Sequence, residues 1–342
     1  KCKYCRFASF SLSQLKVNNY VDFLCKEINE FSYLKPITLD TIYFTPSTLN
    51  LKQFEKIFFT LKQKFTFSEK IEINIESTPE MINLENLNWE KLVNRISIIQ
   101  SLNPKTLEEI ARSEKDILKC FETLKIFFKK PKHISLSIDF IILPFVKKVK
   151  KDIKYLLEKY DFVTHISVYM LEEYYDVPEE IDSKFENIVY PNSWRANSID
   201  EADYSEEYLQ IKNFLKEKFE RYEISNFSKS FECKHNKYWN HKENLAFLGS
   251  HGFFENIRFS KSESFLDYYS KKNISKEKIK EEKFLEKIMF LRTSGIEKKY
   301  LKNLNFEKIN YFCENYLQYK DDKLALTDKS VLFLDYILKE IF

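Results

Sequence analysis

Cys2 and Cys5 stand three apart at the start of the chain, in Lys1-Cys-Lys-Tyr-Cys-Arg-Phe7, with an aromatic residue just before the second thiol. Thiolates at this spacing can hold an iron–sulfur cluster or zinc, or can cycle as a dithiol and disulfide. Zinc would need a second pair of ligands, and Cys233-Lys-His235 is spaced too tightly to supply one. Other polar candidates sit at the ends of apolar runs. Glu76 closes Ile71-Glu-Ile-Asn-Ile-Glu76, and Asp139 falls near the end of the run from Ile134 to Phe140. By residue type alone these two read as polar strand ends, and Gln100 as a strand cap. Arg112 reads as a cation complementing the dipole at a helix C-terminus. Cys25 and Cys120 lie at apolar helix faces and read as core thiols. His133, His165, His241 and His251 read as structural histidines, and Trp239 as packing.

The chain has 342 residues, enough for roughly two domains and a sizeable core. With 44% hydrophobic and 31% charged residues it belongs to the soluble, globular class. No apolar run approaches the roughly 18 residues of a membrane span, and no signal peptide opens the chain. That leaves passing contact with a membrane surface as its membrane role. A net charge of +3 gives no argument for a nucleic-acid partner. The six cysteines are scattered, without a secreted disulfide framework, so a reducing cytoplasm is expected. Glycine numbers only 3, where roughly 7% of residues is usual.

Periodicity supplies the elements that must position these groups. Asn19 to Phe31, Leu51 to Phe65, Asp116 to Phe128, Lys147 to Lys159 and Glu201 to Phe219 read as helices, with shorter ones at Leu87 to Val93 and Lys105 to Arg112. Asp40 to Phe44, Ile71 to Glu76, Arg95 to Gln100, Ile134 to Phe140, Thr164 to Met170 and Arg221 to Ile224 read as strands. Alternation of the two predicts parallel β/α units, about six of them, in an open partial β/α barrel. Chemistry in such barrels gathers at the carboxyl ends of the strands. From about Phe231 the pattern changes. Leu266 to Tyr269, Glu277 to Leu291, Phe306 to Tyr319 and Ser330 to Phe342 read as helices, with an extended piece at Leu324 to Asp328. The expectation is an α/β barrel domain over 1–228 and a C-terminal, mainly helical, winged-helix-like domain over 229–342.

The cysteine loop resembles the C-x3-C-x-Φ-C loop of radical S-adenosylmethionine (radical SAM) proteins, whose first cysteine would lie three residues ahead of Lys1. Further segments, in order, resemble the oxygen-independent coproporphyrinogen III oxidase-like family. Thr41-Ile-Tyr-Phe and Thr45-Pro-Ser are similar to TIYFGGGTPS, and Ile73-Asn-Ile-Glu-Ser-Thr-Pro79 to TIEANP. Asn94 to Ser101 is similar to NRLSIGVQS, Ser137-Ile-Asp139 to SIDLIYGLPG, and His165-Ile-Ser-Val-Tyr169 to HISAY. Arg221 to Phe227 is similar to RYEISNF, Cys233-Lys-His-Asn236 with Tyr238-Trp239 to CRHNxxYW, and Leu291-Arg-Thr293 to LGLRT. The true oxidases carry a further cysteine where this chain has Phe7, so the resemblance favours the HemW-type haem-chaperone branch.

The resemblance implies that Cys2 and Cys5 ligate a [4Fe–4S] cluster and that Tyr4 packs against the adenine of SAM. It implies that Glu76 faces the cofactor and that Gln100 and Asp139 bind the ribose hydroxyls. Arg112 would pair with the SAM carboxylate, and His235 and Tyr238 would belong to a haem site. Haem or a porphyrinogen, a haem-acceptor protein and a homodimer partner are the implied partners. One alternative is a radical SAM oxidase, in which cluster-driven cleavage of SAM starts oxidative decarboxylation of coproporphyrinogen III. Another is a cofactor-free, catalytically inactive remnant with only a structural or interaction role. Departures from the family favour a weakened SAM site. The triple Gly before Thr45 is missing, as are the Gly between Ile98 and Ile99 and the Gly ahead of Leu143-Pro144. Glycines are placed where a backbone must approach a ligand closely, and a one-residue loss within a strand would shift its register.

Overall fold

The computed structural model describes residues 17–33, 35–45, 49–99, 101–110, 112–130, 133–143, 148–170, 201–236, 243–247, 251–254, 257–261, 274–278 and 289–341. The chain forms two compact units, Lys1–Glu220 with Phe227–Lys234, and Arg221–Asn226 with His235–Phe342. No helix among the described residues is long and apolar enough to cross a membrane.

The first unit begins with helix α1 (Val17–Glu30), which buries Val21, Cys25 and Ile28 along one stripe. Strand β1 (Thr38–Phe44) leads to α2 (Leu51–Lys64). Sequence fixes the start of α2 through a capping box. The Asn50 side chain accepts from Gln53 N at 3.1 Å, and the Gln53 side chain accepts from Asn50 N at 3.0 Å. Phe54, Ile57 and Leu61 form its buried face. Strand β2 (Thr66–Ser77) is followed by two short 3-10 turns and β3 (Arg95–Ile99). Helices α3 (Pro104–Glu109) and α4 (Glu114–Phe127) start at side-chain caps, Asn103 and Ser113. Strand β4 (Ser135–Ile142), α5 (Val149–Lys159), β5 (His165–Met170) and α6 (Glu201–Leu215) complete the alternation.

Strands β1 to β5 pair in parallel in chain order, within a sheet that also takes in β6 (Glu220–Glu223) and β7 (Asn226–Ser228), in the order β1-β2-β3-β4-β5-β7-β6. One face of this sheet is apolar. Ile75, Ile96, Ile98, Leu136, Ile138 and Ile166 have no exposed surface. Each such side chain contributes roughly 1.5–3 kcal/mol on burial. The alternate residues of the same strands point to the other face and are polar except near the strand ends, at Ile99 and Ile141. Between Leu39 and Thr41 the partner on β2 jumps from Phe67 to Glu72, an irregularity that adds residues to β2. Strand β3 keeps unbroken register with both neighbours over its described length.

The second unit holds more strand than the sequence led us to expect. Strands β8 (His251–Phe254), β9 (Ile257–Lys261) and β10 (Ile274–Lys278) form an antiparallel sheet in the order β10-β9-β8. Glu277 and Lys278, expected to open a helix, lie instead in β10, because pairing with β9 overrides the helix propensity of Lys and Glu. A second sheet, β11-β13-β12, joins Ile296–Glu297, Leu317–Lys320 and Lys323–Leu326, numbered in chain order. The helix expected over Phe306 to Tyr319 stops early. It is α7 (Phe306–Cys313), after which the chain turns into β12. Asp321 and Asp322, at φ 47° and 58°, make the two-residue turn between β12 and β13. The last helix is α8 (Leu334–Ile341), preceded by a 3-10 turn. Helices α7 and α8 with this small sheet enclose a core of Ile309, Phe312, Leu317, Leu324 and Ile337, compatible with a winged-helix-like unit. Gly295 has φ 93°, and a Cβ there would stand 2.7 Å from Leu324 O, so glycine is required.

Candidate cofactor-binding site

Strand alternation builds the site. The residues that face away from the apolar layer are Tyr43 on β1, Asn74 and Glu76 on β2, Arg95 and Ser97 on β3, Ser137 and Asp139 on β4, and His165 and Ser167 on β5. Parallel register sets them side by side, with Tyr43 opposite Asn74, Asn74 opposite Arg95, Glu76 opposite Ser97, and Asp139 opposite Ser167. Glu76 and Asp139 lie towards the carboxyl ends of their strands.

Glu76 Oε1 accepts a hydrogen bond from the Tyr43 phenol. Burial drives the Glu76 carboxyl up to about 7, and the nearby Asp139 charge adds to this. The Tyr43 hydrogen bond and the Arg95 charge work the other way. Tyr43 itself is held well above the usual phenol range by burial and by the Glu76 and Asp139 charges. Asp139 accepts from Ser97 Oγ at 2.5 Å and from Ser137 Oγ at 3.0 Å. Arg95 is buried and donates from Nη1 to Asn74 Oδ1 at 2.7 Å. The amide Nδ2 of Asn74 is buried with no hydrogen-bond partner among the described residues.

Below this layer His165 is fixed in a neutral form. Its Nε2 lies 3.0 Å from Phe231 O and its Nδ1 lies 2.9 Å from Thr164 Oγ1. A carbonyl only accepts, so Nε2 carries the ring proton. Burial, with help from the Arg95 charge, pushes the imidazole down to about 3. The segment that reaches His165 is anchored by Glu72, which accepts from Cys233 Sγ at 3.2 Å and from Lys234 N at 3.0 Å.

Arg112 follows α3 and immediately precedes the cap of α4. Its Nη1 donates to both carboxylate oxygens of Glu80, at 2.9 and 3.1 Å. Glu80 stands in the 3-10 turn Pro79–Met81, just past β2. Burial would raise the Glu80 carboxyl, but hydrogen bonds from the Thr78 side chain and Arg112 outweigh it and hold Glu80 below the usual carboxylate range.

Of the residues singled out by sequence, Glu76 and Asp139 come together on the inner face, and Arg112 lies past β3 on the Glu80 carboxylate. His235 is half-buried in a short turn, 234–236, at the start of the second unit's long segment. Cys2, Tyr4, Cys5, Gln100 and Tyr238 lie outside the described residues. Cys25, Cys120 and Cys233 are buried thiols, and burial pushes Cys120 far above the usual thiol range. Among the described residues no group of three or more His, Cys, Asp or Glu could hold a metal ion. Tyr43, Asn74, Arg95, Ser97 and Ser137 were not anticipated. Their signal was present as the polar half of a period-two pattern, in Asn-Ile-Glu, Arg-Ile-Ser and Ser-Ile-Asp.

No family model matches the chain. The chain is 27% identical to a protein named heme chaperone HemW from Buchnera aphidicola subsp. Schizaphis graminum (strain Sg), over 99% of this chain and 94% of that protein. It is also 27% identical to heme chaperone HemW from Buchnera aphidicola subsp. Acyrthosiphon pisum (strain APS), over 80% of this chain and 74% of that one. Its fold is similar to that of coproporphyrinogen III oxidase (HemN) from Escherichia coli, a radical SAM enzyme, with a TM-score of 0.72 at 15% identity over 99% of this chain and 86% of the other. Along nearly its whole length the chain is therefore similar in sequence to proteins named heme chaperone HemW, and its fold is similar to that of the HemN coproporphyrinogen III oxidase.

Proposed function

We propose that the chain is a haem chaperone built on a radical SAM half-barrel, binding haem and passing it to a haem-requiring protein in the cytoplasm. The observation that carries this reading is the relationship to two heme chaperones, which for one of them spans 99% of the chain and so includes the unit bearing His235. An imidazole is a good axial ligand for haem iron, and we assign that role to His235, with Tyr238 beside it in sequence. Phe7, standing where the oxidases carry a further cysteine, counts against oxidative decarboxylation.

The described residues fit SAM in kind. Glu76 offers an acceptor for an amino group, Arg112 a guanidinium for a carboxylate, and Asp139 an acceptor for ribose hydroxyls. On the same inner face, the buried Asn74 Nδ2 has no hydrogen-bond partner among the described residues, a donor that a bound polar group would satisfy. Tyr4 and Gln100 complete the set on the adenine and ribose. Cys2 and Cys5, with one further thiolate, are assigned to a [4Fe–4S] cluster. Together the cluster and SAM supply one-electron chemistry when bound. In this chain, however, three of these groups already have partners within the fold, Glu76 in Tyr43, Arg112 in Glu80 and Asp139 in two serines. Weak SAM binding follows, and the haem role does not depend on it. Support as a homodimer belongs to the same reading.

The test is a transfer assay under anaerobic conditions. Haem-loaded protein is mixed with an apo haem protein, and the Soret band is followed in both. Movement of haem to the acceptor, faster than from free haem in buffer, is the expected result. Retention of haem by the donor, or a vinyl product formed from coproporphyrinogen instead, would overturn the proposal.

A further inference from the structure

Arg112 is the cation that a carboxylate-bearing ligand would meet at this end of the half-barrel, and its partner is built in. Both oxygens of Glu80 lie within hydrogen-bond reach of Nη1, at 2.9 and 3.1 Å, and the two side chains are 12% and 39% exposed. The backbone holds both ends in place. Arg112 N donates to Leu107 O at 2.7 Å, closing α3, and the next residue, Ser113, caps α4. Glu80 is fixed by the turn in which Met81 N donates to Thr78 O at 3.0 Å. Only four positions separate Glu80 from Glu76 at the end of β2. The pair thus sits at the same end of the strands as the inner-face carboxylates.

We propose that Glu80 is an affinity- and specificity-determining residue of this site: its carboxylate is an internal anion seated on Arg112 Nη1, which an incoming ligand carboxylate must displace or share the guanidinium with. The inference rests on the reading of Arg112 as the contact for a ligand's carboxylate. A guanidinium that already holds one carboxylate gives less to a second, because Glu80 occupies Nη1 and offsets the cation's charge, and the two anions repel. The site therefore disfavours amino-acid-bearing ligands such as SAM and discriminates little between SAM and a form lacking the carboxylate. The contact is partly exposed, so displacement remains open and the penalty is graded, not absolute.

The experiment compares wild type, Glu80→Gln and Arg112→Gln, each as the full chain with its cluster reconstituted, by calorimetric titration with SAM and with decarboxylated SAM. Thermal unfolding confirms that each variant is folded. Glu80→Gln is expected to bind SAM roughly ten-fold more tightly, the loss of one charge-assisted competitor. Its affinity for decarboxylated SAM should be unchanged, and Arg112→Gln should bind the two ligands alike. A merely structural ion pair would give the opposite sign, weaker binding of both ligands. Equal SAM affinity in wild type and Glu80→Gln, with binding intact, overturns the role of Glu80 and leaves the reading of the site. Absence of SAM binding in wild type and Glu80→Gln overturns the reading of the site, and this inference with it.

Discussion

Glu76 offers the sharpest physical test of the inner face. Its carboxyl is raised from 4.5 to about 7, chiefly by burial, so near pH 6 the folded protein holds a proton that the unfolded chain has released. Stability depends on pH as the difference in bound protons, unfolded minus folded. Between pH 4.5 and 7 that difference is negative for Glu76, and its contribution falls as pH rises. The displacement is about 2.5 pH units, and at about 1.4 kcal/mol per unit the loss is about 3 kcal/mol, complete above pH 7. Glu76→Gln keeps the shape and removes the titration. Urea unfolding of both proteins at pH 5 and pH 8 singles out this group, because titrating residues that do not interact with it cancel in the difference. The variant should gain about 2–3 kcal/mol on wild type between the two pH values, allowing for a weaker bond from Tyr43. A stability difference that stays the same at pH 5 and pH 8 would refute the reasoning. It would mean that water reaches the carboxyl and that the inner face is not the low-dielectric site described.

Two further outcomes follow from groups on either side of that face. His165, held neutral with its imidazole pushed down to about 3, has the reverse sign. The unfolded chain takes up a proton below about 6.5 and the folded protein does not, so stability is present at neutral pH and lost on acidification. His165→Gln should close about 3 kcal/mol of its deficit against wild type between pH 7 and pH 4, as read by chemical unfolding. Gly295→Ala places a Cβ 2.7 Å from a backbone oxygen at φ 93° and should destabilise the second unit by roughly 1–3 kcal/mol, read as a lowered melting transition.

The barrel-like half of the chain was legible because its strands and helices announce themselves by period. Ile71 to Glu76 alternates, and Phe54, Ile57 and Leu61 recur at helical spacing, with Asn50 and Gln53 marking where the helix begins. The polar half of the same alternation went unread. Asn74, Arg95 and Ser97 look like ordinary interruptions of an apolar run until register sets them beside Glu76 and Asp139. The second unit was less legible. Phe306, Ile309, Phe312 and Tyr316 keep helical spacing past the point where the helix stops, because backbone pairing of Leu317 to Lys320 with Lys323 to Leu326 wins over the local pattern. Ile274 to Lys278 is rich in residues that favour helices, yet long-range pairing with Ile257 to Lys261 makes it a strand. The partner of Arg112 was invisible in one dimension. Glu80 lies 32 positions away, and only folding of the turns after β2 and β3 brings the two charges together.

The most direct measurement is an equilibrium haem titration of the full chain and its His235→Ala variant, followed by the Soret band in the absence of SAM. Saturable, one-to-one binding with a shifted Soret band in the wild type, weakened by at least ten-fold in the variant, is the expected result. Haem uptake that is non-saturable, or identical in the two proteins, would contradict the claim that this chain is a haem chaperone acting through His235.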